Sequence, residues 1–316
     1  MEEKRPDWPF WIVLIVCGTA ILACAAYLVY NYLYLPAQIE KQNVRYEVLY
    51  ESAANETPVP TAMSTGTPMP SPTPPISPAP TEAADARLDV PLGTPNPDTI
   101  IYAFPTPPPI QERFAALLAL NSETIGFLTI GDMIALPVVQ RQNDNEFYLK
   151  HDFEENESRA GCLFLDGVNR LELFDKLLIV YGHNMKNGTM FGQLPNLEFK
   201  SVLVKNAVIS FDTIYENRKY VPFACFALTA DQSEPAYVEL RKFQLNKAQF
   251  GDYVDALRAR SLWDIPVDVQ YGDDVLLLVT CNYSVDDGRF CVALRRLRDG
   301  ENEDDMRTLV GEAVKK

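Results

Sequence analysis

At 316 residues the chain could hold two average domains, but sixteen of its 24 prolines fall between Pro58 and Pro109 and almost all periodic apolar pattern follows Pro109. That leaves about 200 residues for one folded unit, enough to bury a core without staples. A formal charge of −15 excludes a nucleic-acid binder, because phosphate contacts need clustered Lys and Arg. Two histidines (His151 and His183) and no C-x-x-C pair give no zinc ligand set, so neither a metal nor another cofactor is implied.

From Trp8 to Ala37 no residue is charged, and Phe10 to Tyr30 is almost wholly apolar. A run of roughly 20 such residues spans a bilayer core. Trp8, Trp11, Tyr30, Tyr32 and Tyr34 lie at its ends, where amphipathic aromatics settle at headgroups. Apolar sequence continues through Tyr34, past the small segment Ala23–Ala26, which favours an uncleaved anchor over a signal peptide. Residues 1–36 are thus read as an N-terminal tail and transmembrane anchor, and 37–56 as a juxtamembrane segment; a cytoplasmic tail rests on the catalytic reading below. Flanking charge does not fix the orientation.

Residues 57–110 form a Pro/Thr/Ser-rich linker that cannot bury enough apolar surface to fold. Extended as polyproline II at ~3.1 Å per residue, it would reach on the order of 170 Å, a spacer able to lift a domain clear of a membrane. A disordered tether of no fixed reach is the alternative.

The domain at 111–316 opens with helical spacing of Phe114, Leu117 and Leu118 within Gln111–Leu120. Strands are predicted over Thr124–Ile130, Ile134–Val139, Cys162–Asp166, Leu177–Tyr181, Ala207–Phe211, Tyr220–Leu228, Val275–Cys281 and Arg289–Leu294. Many short strands separated by turn residues indicate a mainly β barrel or sandwich. One helix interrupts them: Asn246 with Gln249 resembles a capping box, and Phe250, Tyr253, Val254 and Leu257 form an apolar stripe.

Cysteine catalysis needs a thiol that can ionise, an imidazole in reach and donors for an oxyanion. Cys281 ends the apolar run Val275–Cys281, Arg289 opens the next run, and Asp286-Asp287-Gly288 between them is a turn signal. A hairpin would set thiol and guanidinium side by side. His183 follows the apolar run Leu177–Tyr181 through Gly182.

The segment Tyr181-Gly-His-Asn-Met-Lys-Asn-Gly-Thr-Met-Phe191, followed by Leu194, resembles the histidine motif of class B sortases. Thr280-Cys281 with arginine eight residues on resembles their cysteine–arginine hairpin. Ile125–Ile130, Pro137–Gln140, Tyr148–Phe153 and Gly161–Asp166 match the family in order, so the resemblance covers roughly 111–296. It implies an eight-stranded sortase barrel, all-β or mainly β, with an N-terminal helix and one helix in the long loop before the cysteine strand. It implies a cysteine transpeptidase with Cys281, His183 and Arg289 as catalytic residues. Asn145, Leu149 and Tyr237 become candidates for substrate binding; a turn amide, a core leucine and a half-buried aromatic are their ordinary readings.

The implied partners are secreted proteins bearing a C-terminal sorting signal and an amine from a cell-wall peptide or a pilin. The implied place is the membrane of a Gram-positive cell, single-pass, with the catalytic domain outside. Leu277 stands where the family often has Thr, and is read as a packing change. Cys162 is read as core, Cys291 as core rather than a redox partner of Cys281, and His151 as structural. A hydrolytic cysteine peptidase and a non-catalytic peptide-binding surface module remain alternatives.

Overall fold

The computed structural model describes residues 8–55, 107–173, 175–229, 237–281 and 288–316. The predicted linker 57–110 lies outside them except for its last four residues, as do Asn282–Asp287 between the two strands of the expected hairpin. Residues 1–56 and 106–316 fall in one compact unit.

Helix α1 (Trp8–Val29) carries the apolar run and is long and apolar enough to cross a membrane. One π-helical turn, Tyr30–Tyr34, leads without a break into α2 (Leu35–Asn55). Pro36 lacks the N–H that a regular turn would use, and a π turn just before it absorbs the lost bond. The segment expected as a plain juxtamembrane stretch is therefore a helix, and it is docked. Leu35, Ile39, Gln42, Tyr46, Leu49 and Ala53 recur every three or four residues, and Ile39, Tyr46 and Tyr50 are buried against the domain.

A single 3-10 turn, Glu112–Phe114, buries Phe114 and leads into α3 (Ala115–Leu120), which buries Leu117. Eight strands then form a closed barrel: β1 (Thr124–Ile130), β2 (Ile134–Val139), β3 (Leu163–Leu165), β4 (Leu177–His183), β5 (Ile209–Thr213), β6 (Lys219–Thr229), β8 (Val275–Cys281) and β9 (Gly288–Arg296). Their order around the wall is β1-β2-β3-β4-β8-β9-β6-β5. All eight predicted strands are present, with ends shifted by a few residues. Two-residue strands β7 (Trp263–Asp264) and β10 (Val314–Lys315) pair outside the barrel.

Strand β8 reads as an unbroken apolar run because both of its faces are covered: Val275 to Val279 are all essentially inaccessible. Leu277 is among them, in keeping with a packing role. Pro222 in β6 sits where the register with β9 shifts, so its missing donor falls at a bulge. Helix α4 (Lys200–Lys205) follows the histidine loop, and α6 (Glu303–Gly311) leads into β10. Between them α5 (Lys247–Arg260) has the expected capping box, with Asn246 Oδ1 accepting from Gln249 N and Gln249 Oε1 from Asn246 N, each at 3.0 Å. Such a cap contributes about 1 kcal/mol.

Candidate active site

His183 ends β4, and its surroundings fix it from three sides. Its carbonyl accepts from Met185 N (3.1 Å) and Phe191 N (3.0 Å), which folds the 183–191 loop back on the strand. Phe191 and Leu194 plug that loop into the core. The ring's Nε2 lies 2.7 Å from the Leu149 carbonyl oxygen. A carbonyl can only accept, so Nε2 carries the proton and a neutral ring has its lone pair on Nδ1. Leu149 is held there by the 3-10 turn Phe147–Leu149, which Cys162 N ties down through the Tyr148 carbonyl.

Two glycines around His183 leave no space for a Cβ, Gly182 against the core and Gly161 beneath the imidazole. A Cβ on Gly182 would lie 2.4 Å from Leu163 Cδ2. One on Gly161 would lie 2.5 Å from Tyr148 O and 3.2 Å from His183 Cδ2. Gly161 also has φ +59°, the left-handed region that favours glycine.

Cys281 ends β8, which runs parallel to β4 with Gly182 opposite Thr280 and His183 opposite Cys281. On its other side β8 pairs antiparallel with β9, Val279 opposite Cys291. Continuing that register by two residues sets Cys281 opposite Arg289. Just beyond the last backbone pair, Phe290 N donates to the Thr280 side-chain hydroxyl at 2.7 Å. Directly opposed residues share a face of the sheet, and adjacent strands lie about 5 Å apart. His183 and Cys281 are thus neighbours on one face of β4 and β8, and an extension of the β8–β9 register would add Arg289 to that row.

A cleft opens at each end of the row. At the histidine end, about 740 Å³ is bordered by His183, Leu149, His151, Glu157, Ser158 and Arg159. At the arginine end, about 570 Å³ is bordered by Arg289, Tyr181, Leu228, Tyr237, Val238 and Arg241, among others.

No family model matches the sequence. Sortase B of Listeria monocytogenes is 32% identical over 180 residues, which cover 56% of this chain and 70% of that protein. The chain belongs to the class B sortases. Sortase B of Staphylococcus aureus is 26% identical over 173 residues, 54% of this chain and 68% of that one. Among solved structures, Bacillus anthracis sortase B in complex with AAEK1 superposes with a TM-score of 0.54 at 25% identity, over 62% of this chain and 89% of that one. A Staphylococcus aureus sortase B–substrate complex gives 0.53 at 26% identity, over 61% and 88%. The eight-stranded barrel is the sortase fold, and the enzyme class is that of the sortases, cysteine transpeptidases.

In this class B sortase the other cysteines with described side chains are all free thiols. Burial pushes the thiols of Cys162 and Cys291 well above their ordinary value, and that of Cys225 up to about 12. None of these three is suited to ionise near neutral pH. Both Cys162 and Cys291 are core residues, as expected from sequence. His151 stacks on Phe147 at 3.9 Å and its Nδ1 meets the Phe147 carbonyl, a structural setting at the cleft's edge.

The three predicted substrate residues divide. Leu149 is buried and borders the histidine-end cleft, and Tyr237 is half-buried and borders the arginine-end cleft. Asn145 braces a turn instead, its Oδ1 accepting from Gly167 N at 2.7 Å, next to Val168 at the arginine-end cleft.

Two features escaped the sequence reading. The partner of His183 Nε2 is a backbone carbonyl, which has no sequence signature. The arginine-end wall, residues 237–246, is tied down by Arg241, whose Nε and Nη2 donate to the two oxygens of Asp166 at 2.8 and 3.1 Å. Asp166 is fully buried and also accepts from Tyr181 OH and Val168 N, so its charge is matched by donors. Arg260 Nη2 to Tyr237 O and Tyr253 OH to Leu240 O complete the attachment.

Proposed function

We propose that this sortase is anchored in the membrane by α1, with its barrel outside the cell, and that it joins secreted proteins to a cell-wall or pilin amine. The donor is a C-terminal sorting signal, cleaved after Thr. Cys281 attacks the Thr carbonyl carbon and a tetrahedral oxyanion forms. Its collapse breaks the peptide C–N bond and leaves a thioester. An incoming amine then attacks the thioester, the C–S bond breaks, and a new amide results.

His183 moves the protons. With Nε2–H committed to the Leu149 carbonyl, Nδ1 is the nitrogen that passes a proton to the leaving amine and takes one from the arriving amine. Arg289 donates to the oxyanion in both halves; such donors typically contribute on the order of 10²–10³-fold in rate. Tyr237 and Leu149 contact the peptide from the two clefts, and Asn145 acts through the turn it braces.

The observation that carries this reading is the His183–Cys281 register, and extending the β8–β9 pairing two residues past Val279–Cys291 would bring Arg289 beside them. A binding module has no need for histidine and cysteine side by side at strand ends, with an arginine opening the next strand. Outward placement of the barrel follows from the reaction, since both donor and wall amine lie outside the membrane.

The test is to incubate the full chain in detergent with a library of sorting-type peptides, with and without triglycine. Peptides ligated to triglycine through a new amide after Thr are expected. Hydrolysis alone at saturating amine would make it a peptidase, and intact peptide with bound product absent would make it a binding module.

A further inference from the structure

The helix before the Pro-rich tract and the barrel after it are packed together. Tyr50 of α2 stacks on Phe127 of β1 with ring centroids 4.2 Å apart, and its hydroxyl donates to Asp212. Phe114, which follows the tract, meets the same ring at 5.4 Å, and the Arg113 guanidinium lies 4.0 Å over it. Tyr46 packs on Phe153 at 4.7 Å and donates to Glu154, which also takes a 2.7 Å ion pair from Arg45. Burial is the largest cause pushing both tyrosine hydroxyls upward, as expected for a closed interface.

These contacts begin almost at the end of the apolar run. From Tyr34 to Ile39, the first buried residue of α2, the helical rise is about 8 Å. Ile39, Gln42, Asn43 and Tyr46 border a small cavity with Ser158 and Gly161. Ser158 also borders the histidine-end cleft, and Gly161 lies under His183. The cleft therefore sits beside the membrane-proximal half of α2.

We propose that α1 and α2 act as one rod that holds the barrel against the bilayer, and that the Pro-rich tract is an excursion between two docked elements, not the spacer that sets the enzyme's height. This rests on the membrane-anchored transpeptidase reading and narrows its substrates. Donor peptide and amine must both come to within a barrel's diameter of the bilayer, roughly 40 Å, and not the on the order of 170 Å that an extended tract would allow.

A site-specific protease sequence placed between residues 80 and 90, in full chain reconstituted into lipid vesicles, tests this. After cutting, the catalytic fragment is expected to sediment with the vesicles, held by α2. The same chain with Tyr46→Ala and Tyr50→Ala is expected to release its fragment on cutting. Prompt release from the cut wild-type chain would overturn the proposal. An uncut chain that fails to sediment with vesicles would sink the anchoring reading itself, a distinguishable result. In a second arm, 58–104 are replaced by about fifteen Gly/Ser residues, a length that still closes the gap. Transfer from a vesicle-tethered donor peptide is expected within about twofold of wild type, whereas a large loss would show that the tract sets the reach.

Discussion

On the histidine flank of the proposed site the constraints are backbone and close packing: a carbonyl acceptor for Nε2, two loop amides on the His183 carbonyl, and glycines that leave no space for a Cβ. On the arginine flank the wall is a loop, residues 237–246, held to the Asp166 carboxylate by a two-pronged ion pair and to helix α5 by hydrogen bonds from Tyr253 and Arg260. The first construction fixes where the proton goes and tolerates little change. The second leaves the shape of the groove adjustable without disturbing the chemistry. Mutations on the two sides should therefore separate turnover from substrate affinity.

The largest effect belongs to the residue between the flanks. Cys281→Ala is expected to lower kcat/KM on the order of 10⁴-fold or more, with an unchanged melting temperature. Arg289→Ala should cost roughly 10²–10³-fold, mainly in kcat, if the guanidinium acts on the oxyanion. Gly161→Ala tests the histidine flank. The new methyl meets Tyr148 O and His183 Cδ2, and a misplaced imidazole should lower kcat by about 10²-fold. Gly272→Ala is the control: its φ of +103° strains the backbone at least as much, but nothing lies within 4 Å of the added carbon, so only stability should fall.

On the other flank, Arg241→Lys keeps the charge beside Asp166 and loses the fork. KM should rise roughly threefold to tenfold, about 0.7–1.4 kcal/mol, with kcat nearly unchanged. An equal fall in kcat would mean the loop positions the reacting groups too.

The smallest effect on the site comes from acid. At the far end of β8 and β9, burial tends to raise Glu216, Asp273 and Glu301, but hydrogen bonds and charge from Arg296, Arg298 and Arg295 outweigh it and leave all three lowered. Carboxylates with depressed folded values stabilise fully above their unfolded values, about 4, and lose that contribution as pH falls through the folded ones. The melting temperature should drop from pH 5 downward. Arg298→Ala should flatten part of that dependence while leaving kinetics at neutral pH unchanged.

Strand runs such as Leu177–Tyr181 and Val275–Cys281 were legible because continuous apolar sequence marks strands covered on both faces. The residues at their ends drew notice as strand-end positions, but it was the family resemblance, not the pattern, that joined His183, Cys281 and Arg289 into one expected trio. The docking of α2 was not, since its stripe includes polar Gln42 and its partners Phe114, Phe127 and Asp212 lie beyond the Pro-rich tract. The pairing of Asp166 with Arg241 joins positions 75 apart, and neither residue differs in sequence from an ordinary surface charge. Main-chain acceptors such as the Leu149 carbonyl carry no residue code at all.

The central claim is tested most directly by locating the acyl group. Full chain in detergent, mixed with a cleavable sorting-type peptide and quenched in acid before amine is added, should gain one acyl mass. Peptide mapping should place it on Cys281, and the adduct should disappear on adding triglycine. An adduct on Cys162, Cys225 or Cys291, or efficient turnover by Cys281→Ala, would contradict the account.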